Sequence, residues 1–238
     1  MPYRIFLAGA TGVIGRRLAT LLRDAGHEVT GTTRSSQKID ALRAIGVEPA
    51  VVDVFDANAL AQAVAAARPD IVIHQLTDLP RGLDPAHMDE AIRRNARLRT
   101  EGTRHLVDAA VAAGARRLIA QSIAWAYAPG PEPHAESDPL DIGAEGLRAV
   151  SVGGIVALER AVLDAPLEGL VLRYGQLYGP GTGTDRPAGT SPVHVDRAAR
   201  AALLAVDRGA RGAYNIAEPN LHVATDKART ELGWQPDA

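Results

Sequence analysis

Short runs rich in Val, Ile and Leu alternate along the chain with longer Ala/Leu-rich helical patterns. The first junction between the two reads "RIFLAGATGVIGRRL", residues 4–18. Strands are expected at Tyr3–Ala8, Glu28–Thr33, Glu48–Asp53, Asp70–Leu76, Arg116–Gln121, Gly169–Arg173 and Ala213–Ile216. Helical patterns fall near 13–25, 36–45, 57–67, 86–113, 145–164, 195–208 and 225–232. Strand–helix alternation at this spacing predicts an α/β fold, a doubly wound parallel sheet covered on both faces. "VIHQ" and "RLIAQ" show no polar alternation, as expected of strands buried on both sides. Two segments rich in Pro and Gly, 128–146 and 179–192, read as long loops, which are often functional. No repeat or linker divides the 238 residues, so residues 1–238 are expected to form a single domain.

Gly9, Gly12 and Gly15 stand at that first junction as G-x-x-G-x-x-G. Gly9 suits a tight turn, Gly12 a close backbone approach to a pyrophosphate, and Gly15 close packing of helix on strand. The helix N-terminus adds free N–H groups and the positive end of a dipole. The run Gly9, Ala10, Thr11, Gly12, Val13, Ile14, Gly15 and Arg16 is therefore a candidate dinucleotide cradle.

The second strand decides between cofactors. An acid at its end bonds the ribose 2′-OH of NAD. Here the sequence is Thr33-Arg34-Ser35. Arg34 suits a 2′-phosphate, with Ser35 adding a hydroxyl, and Arg16 points the same way, so NADP(H) is expected over NAD(H). Asp53 is placed to accept from the adenine amino group with Val54 beside the ring; Gln75, Leu76, Thr77, Gln121, Tyr174, Gln176 and Leu177 follow or end later strands and complete the expected cofactor border.

The remaining composition excludes more than it assigns. There is no Cys, hence no disulfide or thiolate nucleophile, which is compatible with a cytoplasmic protein. A net charge of −2 gives no electrostatic footprint for nucleic acid. No apolar run approaches the ~18 residues of a membrane span, and no signal peptide is expected before Ile5. No His/Asp/Glu cluster has metal-ligand spacing, and no Ser sits in a G-x-S-x-G elbow.

The pieces "GATGVIGRRL", "DVFDANAL", "DIVIHQLT", "TEGTRHLVDAAVAAGARRLIAQS", "VLRYGQLYGPGTG", "PVHVDRAARAALLAV", "GAYNIAEP" and "KARTELGWQP" come in one order along nearly the whole chain. In them the chain resembles the extended short-chain dehydrogenase/reductases, the NAD-dependent epimerase/dehydratase group. The resemblance implies a Rossmann fold with a small C-terminal substrate lobe, here about 174–192 and 217–238, and reactions that begin with hydride transfer. It also implies a homodimer in which the helices matching 86–113 and 145–164 pair across a two-fold axis.

The catalytic set implied by that resemblance is absent. The family uses a Tyr and a Lys in Y-x-x-x-K, in which the ammonium lowers the phenol's pKa. Anchored on Glu159, the sequence places Ser151 at the Tyr position and Ile155 at the Lys position. The only lysines are Lys38 and Lys227, and no tyrosine has Lys four residues later. The usual Ser/Thr falls at Ile123 beside Ser122, and the usual helix Asn falls at Arg99. The chain is similar in this to the atypical branch that keeps the cofactor site without the Tyr-Lys pair.

Replacement proton donors are Ser122 at a strand end, Tyr127 in the following turn and Tyr174 after the sixth strand. His74 and His194 read as structural, and Trp125 as a pocket wall. Only residues 182–191 lie where the family carries much of its substrate lobe, so a pocket is expected from 76–88, 122–146 and 174–186, or from a second subunit. Three functions remain. The first is an NADP(H)-dependent oxidoreductase acting on a small carbonyl, enone or imine-type molecule. The others are a non-catalytic NADP(H)-binding sensor and an epimerase or dehydratase. A cationic acceptor held close with water excluded takes hydride without a strong acid.

Overall fold

The computed structural model describes residues 2–80 and 84–236. Its main sheet contains β1 (Arg4–Ala8), β2 (Glu28–Thr33), β3 (Glu48–Val51), β4 (Ile71–His74), β5 (Arg117–Ile123), β6 (Glu168–Tyr174) and β9 (Gly212–Ile216). They run parallel in the order β3-β2-β1-β4-β5-β6-β9. The order reverses direction between β1 and β4, so a crevice opens at the carboxyl ends of those two strands. This is the doubly wound Rossmann-type α/β sheet expected from the alternation.

Strand pleating splits the core in two. Ile5, Leu7, Ile73, Leu170, Leu172 and Tyr174 pack on one face against α1 (Val13–Asp24) and α7 (Val195–Leu204). Phe6, Ala8, Val72, Leu118 and Val171 pack on the other with residues of α3 (Ala57–Ala67), α5 (Thr103–Ala112) and α6 (Gly146–Leu163). The short α2 (Ile39–Ala44) precedes β3. Asp56 caps α3 by accepting from the Ala59 amide at 2.9 Å, which fixes the start of that helix.

The long helical stretch expected at 86–113 is interrupted. It forms α4 (Met88–Arg97), a π-helical turn at Leu98–Gly102, and then α5. The loop expected at 179–192 is bordered by two strands absent from the sequence reading. β7 (Gln176–Tyr178) and β8 (Pro192–His194) pair in parallel as a separate small sheet. Three-residue strands flanked by glycine and proline carry no periodicity from which to read them.

Candidate functional site

The glycine turn is shaped by contact. Gly9 has φ +90°, and a Cβ there would lie 2.7 Å from the Gln75 carbonyl oxygen. A Cβ on Gly15 would lie 2.0 Å from the Gly9 oxygen, so only glycine lets α1 pack this close to β1. The Gly9 amide donates to Thr32 Oγ1 at 2.9 Å, and Gly12 stands at the N-cap of α1 with no side-chain cap. The turn is thus tied to β2 on one side and β4 on the other, while the first turn of α1 carries no acid.

The other expected cofactor residues gather along the same carboxyl edge. Arg34 follows β2, is exposed, and has no carboxylate partner among the described residues. Asp53 accepts from the Phe55 amide at 3.0 Å, and Val54 is buried beneath Gly102. Leu76 donates its amide to His74 Nδ1, and Thr77 is exposed. Gln121 lies in β5, opposite Leu172. Gln176 Oε1 accepts from the amide and the hydroxyl of Ser191, and with half-buried Leu177 it forms part of β7.

Gln75 carries a signal of its own. It is buried, its Nε2 donates to the Tyr174 hydroxyl at 3.3 Å, and its Oε1 has no partner. A buried polar atom without a partner is costly. Here it sits at the crevice, against the glycine turn. The close-packed glycines and this spare acceptor fit a dinucleotide.

Two of the three expected proton donors are placed elsewhere. Ser122 pairs with Arg173 in the sheet register, on the face covered by α6. Its hydroxyl donates to Glu159 Oε1 at 2.7 Å, and the residue is only 3% exposed. Tyr127 is buried as well; it donates to Asn215 Oδ1 at 2.7 Å, accepts from Arg173 at 2.8 Å and stacks on His134. Both hydroxyl protons are therefore held inside a buried network around the Glu159–Arg173 ion pair. This corrects the expectation that they border a substrate. The physical reason is the buried Glu159–Arg173 pair, whose remaining bonding capacity needs partners that these two hydroxyls supply.

Tyr174 does lie at the edge, but burial pushes its phenol well above the ordinary value. Tyr178 donates to Glu218, and burial together with that carboxylate also raises its pKa. Each phenol is therefore a weaker acid than in water. His74 has the structural role expected of it. Nε2 faces Thr103 Oγ1 at 3.0 Å, Nδ1 accepts from Leu76, and burial with the charge of Arg99 pulls its pKa down to about 4.

Ser151 and Ile155, the residues that the anchoring on Glu159 sets at the Tyr and Lys positions, lie on α6. Ile155 is fully buried among Ala126, Val152 and Ile123, an environment hostile to an ammonium. Ser151, Ile123, Trp125, Val152 and Ile92 line a cavity of about 280 Å³. Of the segments expected to build a pocket, 122–146 contributes, α4 and α6 supply the rest, and 81–83 lie outside the described residues. A larger open groove of about 1130 Å³ between α1 and α7 has Arg16, Arg197 and Arg200 in its lining and touches none of Gly9, Gln75 and Tyr174.

One residue of the site was not singled out from sequence for any role. Arg99, in the π-turn, is 8% exposed, and no hydrogen bond or ion pair holds its guanidinium among the described residues. Burial lowers its pKa to about 10. Its place where the resemblance implies Asn was the available signal, but an arginine on such a helix is ordinarily solvated. Among the described residues there is no group of metal-ligating side chains, and no helix long and apolar enough to cross a membrane.

A sheet of this order, with a glycine cradle at its switch point, defines a dinucleotide-binding class of fold. The model of the NAD dependent epimerase/dehydratase family matches residues 5–206, and the chain belongs to that family. It is 45% identical to a 3-diazoavenalumate denitrifying reductase from a Streptomyces species, over 98% of this chain and 79% of that protein. It is 31% identical to a dTDP-4-dehydrorhamnose reductase from Streptomyces griseus, over 76% of this chain and 53% of that one. The fold is also that of UDP-glucose 4-epimerase from Thermotoga maritima, with a TM-score of 0.77 at 18% identity over 98% of this chain and 94% of that one.

Proposed function

We propose that the chain is a reductase that places hydride on a small organic electrophile, using a nicotinamide dinucleotide, with NADP(H) preferred over NAD(H). The observation that carries this reading is the lack of a ready proton donor at the edge. On the anchoring at Glu159, Ser151 and Ile155 stand at the Tyr and Lys positions that the resemblance implies, Ser122 and Tyr127 are bonded inside the core, and the two edge phenols have raised pKa values. Such a site suits an acceptor that is already cationic.

An arenediazonium is such an acceptor. Hydride forms the new C–H bond, the C–N electron pair leaves with dinitrogen, and no proton enters the balance. A bound reduced nicotinamide would supply that hydride. The Streptomyces relative is named for removing nitrogen from a diazo compound, which supports this class of substrate here. An iminium meets the same requirement. The chain's own part is to seat the dinucleotide on the Gly9–Gly15 turn, to offer Arg34 to a 2′-phosphate, and to hold the acceptor in the apolar cavity beside Ile123 and Ser151.

The test is turnover with NADPH deuterated at C4 and an arenediazonium, against an enzyme-free control. Arene carrying deuterium at the carbon that lost nitrogen is the expected product. NADPH binding without consumption across diazonium, iminium and carbonyl panels would make the chain a binding protein and overturn the reading.

We also read the chain as a homodimer through α4 and α6. Within one chain these helices already approach closely, since a Cβ on Gly154 would lie 2.9 Å from Ala96 Cα, whereas Gly153 faces open space. Light scattering should give twice 25.0 kDa; a mass near 25.0 kDa rules the dimer out.

A further inference from the structure

We propose that Arg99 is the anion-binding residue of the substrate pocket, and that the anion it receives is the carboxylate of an elongated aromatic acid. The proposal rests on the reading above, that a small aromatic molecule is reduced at this edge.

A guanidinium largely removed from water gains from a partner. Arg99 is 8% exposed and has none among the described residues. The polar groups around it are already committed. Asn95, one turn before, accepts from the Asp78 amide, and Thr103, one turn after, bonds His74. The carboxylates at hand on the neighbouring elements are paired with other arginines: Asp78 with Arg94, Glu101 with Arg97, and Glu159 with Arg173. Arg99 is thus a built-in cation whose counter-charge the fold does not supply. It stands in a π-turn, a distortion frequent at functional sites.

The position selects the ligand. The Asn95–Arg99–Thr103 stripe runs down to the carboxyl end of β4, where Thr103 meets His74. The phosphates of a dinucleotide have their own partners in the proposed site, the glycine turn and Arg34, so the unmatched anion is assigned to the substrate. The planar guanidinium fork matches a carboxylate in two bonds. Ile92 lines the mainly apolar cavity, whose own Arg148 is engaged by Asp141, and Arg99 stands outside that lining, seven residues or about two helical turns further on. That spacing is about 10 Å along the axis. A ring in the cavity and a carboxylate at Arg99 therefore belong to an extended molecule rather than a compact one.

The experiment is calorimetric titration of the protein, with NADP⁺ bound, by cinnamate and by methyl cinnamate. The acid is expected to bind at least tenfold more tightly than the ester. Arg99→Gln should abolish that ratio while leaving ester and NADP⁺ affinity unchanged, and Arg99→Lys should restore part of it. Arg99→Met, which removes an uncompensated buried charge, should raise the melting temperature of the ligand-free protein. Equal binding of acid and ester by the parent overturns the proposal without any variant. So does a ratio that survives in Arg99→Gln, or a loss confined to NADP⁺ affinity, which would assign Arg99 to the cofactor. Tight, Arg99-dependent cinnamate binding by a protein that reduces no diazonium would leave this site standing and remove only the reductase reading.

Discussion

Glu159 Oε1 is shared by two donors: the Ser122 hydroxyl at 2.7 Å and Arg173 Nε at 2.9 Å. Arg173 closes a second bond to Oε2 at 2.7 Å, and both charged side chains are nearly inaccessible. The pair joins α6 to β6 and extends through Tyr127 and Asn215 to the loop around His134 and Glu136. It is a structural knot beneath the site, with every polar end used.

Removing one end of this knot should cost stability before activity. Arg173→Met leaves Glu159 buried with only Ser122 to satisfy it and should destabilise by about 3–5 kcal/mol. Ser122→Ala leaves the ion pair intact and should cost about 1–3 kcal/mol. Denaturant unfolding reads both values. Turnover by Ser122→Ala at a temperature where it is fully folded should stay within threefold of the parent. A hundredfold loss there would return Ser122 to the chemistry.

His74 makes the fold sensitive to acid. Burial, aided by Arg99, holds its imidazole down to about 4, against an ordinary value of ~6.5. The unfolded chain accepts a proton that the folded chain resists. The neutral form's advantage is complete above ~6.5 and is lost as pH falls toward 4, a change of about 3 kcal/mol. The difference in unfolding free energy between pH 7 and pH 4.5 should therefore shrink in His74→Gln. An identical pH dependence in both proteins would show that the ring is not titrating.

The readable parts of this fold are those with local causes. The helix at 57–67 matches its sequence bounds because Asp56 caps one end and Arg68, in a left-handed conformation, ends the other. The sheet follows from alternation, and the cradle from glycines whose Cβ positions are blocked. What could not be read depends on distant pairing. Ser122 stands one residue from Ile123, yet Ser122 is bonded to Glu159 inside the core while Ile123 lines the cavity. Glu159 and Arg173 meet only when α6 folds onto β6. The burial of Arg99 is a tertiary fact that no local pattern encodes.

Cofactor preference should reside in Arg34. It is exposed at the end of β2, next to Ser35, with no acid beside it to bond a ribose hydroxyl pair. NADP(H) should bind more tightly than NAD(H) in calorimetry, and Arg34→Glu should reverse the order. Because a 2′-phosphate–guanidinium contact is electrostatic, the parent's preference should narrow as salt is raised. Equal affinities in the parent at low salt would count against the assignment.

Tyr174 offers the sharpest test of catalysis without a proton donor. Its hydroxyl accepts from Gln75, the residue is 3% exposed, and its phenol is harder to ionise than in water. Removal of a true general acid costs about 10²–10⁴-fold in rate. If hydride goes to an acceptor that is already cationic, Tyr174→Phe should lower kcat by less than tenfold. Its main effect should fall on stability, because Gln75 Nε2 then loses its partner beside an Oε1 that already has none. The kcat profile with an iminium or diazonium substrate should also lack an inflection that disappears in Tyr174→Phe. A hundredfold fall in kcat, with NADPH affinity unchanged, would make the phenol the donor and return the site to acid-assisted reduction.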